Sequence, residues 1–119
     1  MLDLTTPHFR ADVVDGVTIF RILDSELRDP DDAVELFREV KEHAHQVRPT
    51  WILIDLGETK HLSGIAFLVM MDLAHEVSAA QGRLALCNLR PHLRARAQLL
   101  RLQPYLEIYD DQASALASF

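Results

Sequence analysis

The stretch LIDLGETKHLSG, residues 53–64, sets a carboxylate, an imidazole and a hydroxyl close together as Asp55, His61 and Ser63. Such groups belong either to a catalytic set or to a loop that meets a partner and can be modified. As a catalytic set they are incomplete. Asp55 and His61 could serve as base and orienter, but no nucleophile, oxyanion donor or metal ligand set completes them. Ser63 lacks the glycines two residues to either side that mark a nucleophile elbow. Phosphate-cradling G-x-x-x-x-G-K and G-x-G-x-x-G patterns are absent. Among the six histidines, His43 and His45 stand two apart on a helical stretch and diverge, and Asp72 with His75 has no third ligand in sequence. Cys87 lies within the apolar run RLALCNL and reads as an inert core residue. The expectation is a protein without metal, cofactor or catalysis.

Ser63 keeps a physical interest of its own. It immediately precedes an apolar helical run, so it is a natural N-cap. A phosphate on its hydroxyl would meet free backbone N–H groups and the positive helix end. It would bring about −1.5 to −2 charges to a binding surface. Lys60 and His61 flank it, placed either to attract that phosphate or simply to face water.

The elements that must hold this loop are readable from periodicity. Phe9 to Val14 and Val17 to Leu23 flank Asp15-Gly16, a hairpin signal. Asp29 before Pro30 reads as an N-cap with proline at the first helical position, and Val34, Phe37, Val40 or Lys41, and Ala44 follow a helical stripe that Val47 closes. Trp51 to Leu56 reads as a strand buried on both faces. Residues 57–63 read as a loop. A second helix runs from Gly64 to about Ala80, apolar nearly all round in its first two turns and so expected to be deeply buried there, with Gly82 as its stop. A strand over Arg83 to Leu89 and a helix over Pro91 to Leu102, striped by Leu93, Ala97 and Leu100, come next. Pro104, a short strand over Tyr105 to Tyr109 and a closing helix end the chain. The order β-β-α-β-α-β-α-β-α predicts an α/β domain with a mostly parallel mixed sheet and helices packed on it.

The composition agrees. A chain of 119 residues, 49% hydrophobic and 25% charged, has enough apolar surface for one folded domain. A formal net charge of −6 argues against duplex binding, so the cluster of Arg90, Arg94, Arg96 and Arg101 reads as a solvated helix face. A single cysteine fits a reducing compartment. No run of residues approaches the roughly 20 apolar positions of a membrane span, and no leader pattern opens the chain, so a cytoplasmic location is expected.

Asp55 at the end of a buried strand invites comparison with the acceptor aspartate of two-component receiver domains. Those carry a lysine after the last strand, whereas the only lysines here are Lys41 and Lys60. The run WILIDLGETKHLSGIAFLVMMDLAHEVSAAQGRLALCNL, taken with the element order, instead resembles a STAS domain of the anti-anti-sigma factor family. In that family a buried strand ends in Asp-Leu, and a loop leads to an Asp-Ser-Ser-Gly-Leu-like signature that opens a helix. A glycine precedes the next apolar strand, and Leu27 falls where the family has a Gly-x-Leu turn. The resemblance covers about residues 9–118. Residue type aligns Ser63-Gly64 with the family's phosphoserine-glycine. Counting without gaps from Asp55 or back from Gly82 instead puts Ser63 on the signature aspartate, with Ile65 and Ala66 on the phosphoserine and glycine. Ser25 takes the place of the turn glycine and Arg28 that of the acid after its leucine.

The resemblance implies a non-catalytic signalling domain bound by an anti-sigma factor, often a serine kinase, whose phosphorylation of the signature serine releases the complex. The expected contact surface comprises Asp24, Ser25, Glu26 and Arg28 of the turn, Gly57, Thr59, Lys60, His61, Leu62 and Ser63 of the loop, and Gly64 at the helix start. Ser63 is the candidate phosphorylation site. A second role fits as well: a non-phosphorylated accessory or scaffold subunit of a larger assembly, such as a transporter complex.

Overall fold

The computed structural model describes residues 4–46, 48–102 and 106–119. The strands are β1 (Leu4–Thr5), β2 (Phe9–Val14), β3 (Val17–Ile22), β4 (Glu26–Leu27), β5 (Trp51–Asp55), β6 (His61–Leu62), β7 (Arg83–Cys87) and β8 (Glu107–Tyr109). The helices are α1 (Pro30–Ala44), α2 (Gly64–Ala79), α3 (Pro91–Leu99) and α4 (Gln112–Ser118). Six strands form one sheet in the order β1-β2-β3-β5-β7-β8. β1, β2 and β3 pair antiparallel, and β3, β5, β7 and β8 pair parallel. The predicted α/β architecture and mixed sheet are therefore present. The three two-residue strands β1, β4 and β6 are additions to the predicted order.

The hairpin between β2 and β3 turns on Asp15 (φ 52°) and Gly16 (φ 81°), the paired positive φ values that a two-residue hairpin requires. Its register, Val14 opposite Val17 through Phe9 opposite Ile22, sends Phe9, Ala11, Phe20 and Ile22 to one face of the sheet. There they meet Ile52, Ile54, Leu84 and Leu86 under α1, α2 and α3. The other face carries Val17, Ile19, Leu53, Ala85 and Cys87, covered by Ala115 of α4 and flanked by Trp51, Tyr109, Leu116 and Phe119. β5 is thus buried on both faces, as its unbroken apolar run predicts.

Some expected stripes are displaced. Val34 is 50% exposed, and α1 buries Ala33, Leu36, Phe37, Val40 and Ala44 instead. Val47 lies outside the described residues. At the start of α2, Ile65 and Leu68 are 43% and 45% exposed, because only the side carrying Ala66, Phe67 and Met70 meets the core. α3 ends at Leu99, so Leu100 stands outside it and exposed. The last strand begins at Glu107; Pro104 and Tyr105 lie outside the described residues. The left-handed residue after α2 is Gln81 (φ 66°), not Gly82. Gly82 is needed for a different reason: a Cβ there would lie 2.3 Å from the Thr50 carbonyl oxygen and 2.7 Å from Val77 Cγ1.

Candidate functional site

The turn after β3 and the loop after β5 are far apart in sequence, and β4 and β6 join them as a parallel pair with Glu26 opposite His61 and Leu27 opposite Leu62. The join begins with backbone bonds. The Ser25 carbonyl accepts from Lys60 N (2.7 Å) and His61 N (3.1 Å), and the Leu27 carbonyl accepts from Ser63 N (3.0 Å). Ser25 contributes through its main chain while its side chain is exposed, so a serine serves where the family has glycine. Leu27 and Leu62 point into the core, and Glu26 and His61 face outward. Thr59 is wholly buried and donates its hydroxyl to the Asp24 carbonyl at 2.9 Å. Asp24 in turn accepts from His8 Nδ1 at 2.9 Å.

Of the expected contact residues, Ser25, Glu26, Arg28, Lys60 and His61 are exposed; Asp24, Gly57, Ser63 and Gly64 are half-buried. Thr59 and Leu62 are buried and shape the surface from below. Ser63 is the N-cap of α2. Its Oγ accepts from Ala66 N at 3.1 Å, with backbone φ −73° and ψ 162°. No acidic residue follows in the first helical turn, so nothing there offsets the positive helix end. Ile65, the alternative position for the signature serine, stands exposed on that same turn.

The structure brings two further residues to this surface, both from α3. His92 Nε2 lies 2.6 Å from the Lys60 carbonyl oxygen. A carbonyl only accepts, so Nε2 carries the proton. Arg96 donates from a terminal guanidinium nitrogen to the Leu62 carbonyl at 3.1 Å. The His61 and His92 rings meet edge-on, 6.1 Å between centroids. Arg28, His61, Ser63, His92 and Arg96 then rim a cleft of about 360 Å³. Sequence alone treats Arg96 as part of a solvated face. The spacing of His92 and Arg96, one helical turn apart after Pro91, does place them on one side of α3, but not against a particular loop.

Asp55 has a different place. Its carboxylate is almost fully buried and accepts from Gly57 N (2.9 Å), Asn88 Nδ2 (3.1 Å) and Gln112 Nε2 (2.7 Å). Those bonds offset the cost of burying it, and they tie the ends of β5 and β7 to the start of α4. Asp55 and His61 do not form the base–orienter pair that their sequence spacing allows: His61 faces His92 and Asp55 faces the amides. The Cys87 thiol is buried beside this carboxylate, and burial foremost pushes it up to about 12. Among the described residues no cluster of three or more His, Cys, Asp or Glu could hold a metal ion, and no helix is long and apolar enough to cross a membrane.

The model of the STAS domain matches residues 8–115. This chain belongs to the STAS domain family. Among curated proteins, this STAS domain is similar to BtrV of Bordetella bronchiseptica, named as an anti-sigma factor antagonist, with 26% identity over 68 residues. The match spans 57% of this chain and 59% of BtrV, less than two thirds of that relative's length. Among solved structures, an anti-sigma-factor antagonist (STAS) domain protein from Planctomyces limnophilus superposes with a TM-score of 0.81 at 17% identity, over 96% of this chain and 98% of that one. The murine anion transporter Slc26a9 superposes with a TM-score of 0.71 at 13% identity, over 91% of this chain and 18% of the transporter. At such identities the two structures establish the fold, which therefore occurs both in antagonist proteins and within a transporter.

Proposed function

We propose that the chain is a single regulatory STAS domain that acts in the cytoplasm by binding another protein, as an anti-sigma factor antagonist does, without catalysis. Its contact surface comprises the turn 24–28, the loop 57–63 and the exposed start of α2. The observation that carries this reading is the β4–β6 pair, which makes one outward surface from two remote segments and sets the Ser63 cap at its edge. The name of BtrV supports the choice of partner class, an anti-sigma factor or serine-kinase-like regulator. Asp55 is held by amide donors and Cys87 is sealed in the core, so these two groups serve the fold.

The accessory-subunit reading draws on two observations: Ile65 offers no hydroxyl at the gap-free signature position, and Slc26a9 has a domain of the same fold. Binding measurements separate the two. Calorimetric titration against serine kinases of the anti-sigma type from the same organism is expected to show a complex. Leu68→Glu and His61→Glu should weaken it at least tenfold, whereas Val34→Glu, at an exposed apolar site on α1, should leave it unchanged. Absence of binding to any such kinase, or equal damage from Val34→Glu, would overturn the antagonist reading.

A further inference from the structure

We infer that the cleft between the β4 turn, the β6 loop and α3 is the receptor for an acidic side chain of the protein partner, which presents a carboxylate followed by apolar residues. This rests on the partner-binding reading above and gives that partner a chemistry.

The first ground is charge segregation. The chain carries a net charge of −6, yet among the described residues no carboxylate lines this cleft, and two guanidinium groups and two imidazoles rim it. Its floor is apolar, with Leu62 and Leu93 buried beneath the rim. The second ground is the way the basic groups are held. Arg96 and His92 are anchored to the carbonyls of Leu62 and Lys60. A carbonyl partner orients a guanidinium without cancelling its charge, so Arg96 keeps its positive charge at the rim, and His92 presents an imidazole beside it. Arg28 pairs with Glu26 at 3.5 Å, and both side chains are more than half exposed. Such an exposed pair is weak and exchanges readily for a better-placed carboxylate. Arg94, two residues before Arg96 and so turned to another side of the helix, is by contrast paired with Asp110. The third ground is the neighbouring apolar surface. Ile65 and Leu68 stand exposed on the first turns of α2, directly after Ser63. A segment that lodges a carboxylate in the cleft meets them next, and complementary charge then sets the register of an otherwise apolar contact.

The same geometry makes position 63 a competitor. Ser63 lines the cleft, so a negative charge on its side chain competes with the partner's carboxylate.

The test uses the full 119-residue chain, ¹⁵N-labelled, in low salt. It is titrated with a capped hexapeptide of alternating Glu and Leu, with its Gln–Leu counterpart, and with inorganic phosphate. The Glu–Leu peptide should shift the backbone amides around Ser63, Ile65, His92 and Arg96, with about millimolar affinity. Arg28→Gln, at an exposed side chain paired with exposed Glu26, should weaken it about three- to tenfold. Ser63→Asp should weaken it at least as much, and 0.5 M NaCl should nearly abolish it. Three results would each overturn the inference: equal shifts from the Gln–Leu peptide, an affinity unchanged in Arg28→Gln, or phosphate binding as tightly as the peptide, which would make the cleft a site for free anions. If the peptide fails while an anti-sigma-type kinase still binds, the cleft is not the receptor and the antagonist reading stands. If the peptide binds as described and no such kinase does, the antagonist reading falls alone.

Discussion

Ser63 joins the fold to the proposed surface, and two substitutions separate its contributions. Its Oγ makes one cap bond, to Ala66 N at 3.1 Å. Removing such a bond costs about 1 kcal/mol. For a chain of 119 residues the entropy of unfolding is about 0.25 kcal/mol/K, so Ser63→Ala should lower Tm by about 4 °C. Aspartate caps as well as serine does, and its charge falls at a helix end with no acidic residue in the first turn. It also falls in a cleft rimmed by Arg28 and Arg96. Favourable interaction with the helix dipole contributes about 0.3–1 kcal/mol at low ionic strength. Ser63→Asp should therefore melt at or a few degrees above the parent, and that margin should shrink in 1 M NaCl because screening acts on it and not on the cap bond. Calorimetric melting of the three proteins at two salt concentrations measures both effects. Equal losses for Ala and Asp, independent of salt, would refute the placement of Ser63 at a positive helix end beside basic side chains.

Met70 is fully buried on the α2 face that meets the sheet, so Met70→Ala should cost about 2–5 kcal/mol by urea denaturation, whereas half-exposed Leu68→Ala should cost under about 1 kcal/mol. Gly82→Ala drives a Cβ against backbone and should cost roughly 1–3 kcal/mol, seen as a lower urea midpoint at unchanged slope, in spite of the entropy it removes from the unfolded chain. The Glu107 carboxyl is held below its ordinary range, first by the hydrogen bond from Arg83. Its contribution is present above the unfolded-state pKa and lost as pH falls through the lowered folded value, so the Tm advantage of the parent over Glu107→Gln should be full at neutral pH and vanish in acid.

The sheet was legible because its signals are local. Asp15-Gly16, the β-branched run of Val17 to Ile22 and the apolar run of Trp51 to Ile54 each announce their state within a few residues. The N-caps Asp29 and Ser63 were legible for the same reason. What stayed hidden depends on contacts between remote segments. Two residues of β4 and two of β6 carry no periodicity, and only their pairing makes them strands. Burial of α2 was overestimated because apolar residues all round a helix do not reveal which side meets the core; Ile65 and Leu68 belong to the side that does not. His92 and Arg96 could be placed on one face of α3, but their position over the loop follows from how α3 packs.

Within the β4–β6 pair, burial and exposure fall on alternate residues. Leu27 and Leu62 are opposite one another and buried, while Glu26 and His61 are opposite one another and exposed. A parallel pair of two residues is too short to stand alone, so the core contacts of the two leucines and the buried Thr59 bond to Asp24 must hold it. Loss of a buried member therefore releases both segments at once. It removes the surface along with part of the fold, and a binding defect in such a variant says nothing about contact. Changes at Glu26, Lys60 and His61 leave the backbone bonds from Ser25 and Leu27 in place, so a defect there reports the surface itself. The outward residues of this pair can in this way change without disturbing the two leucines and the threonine that hold it.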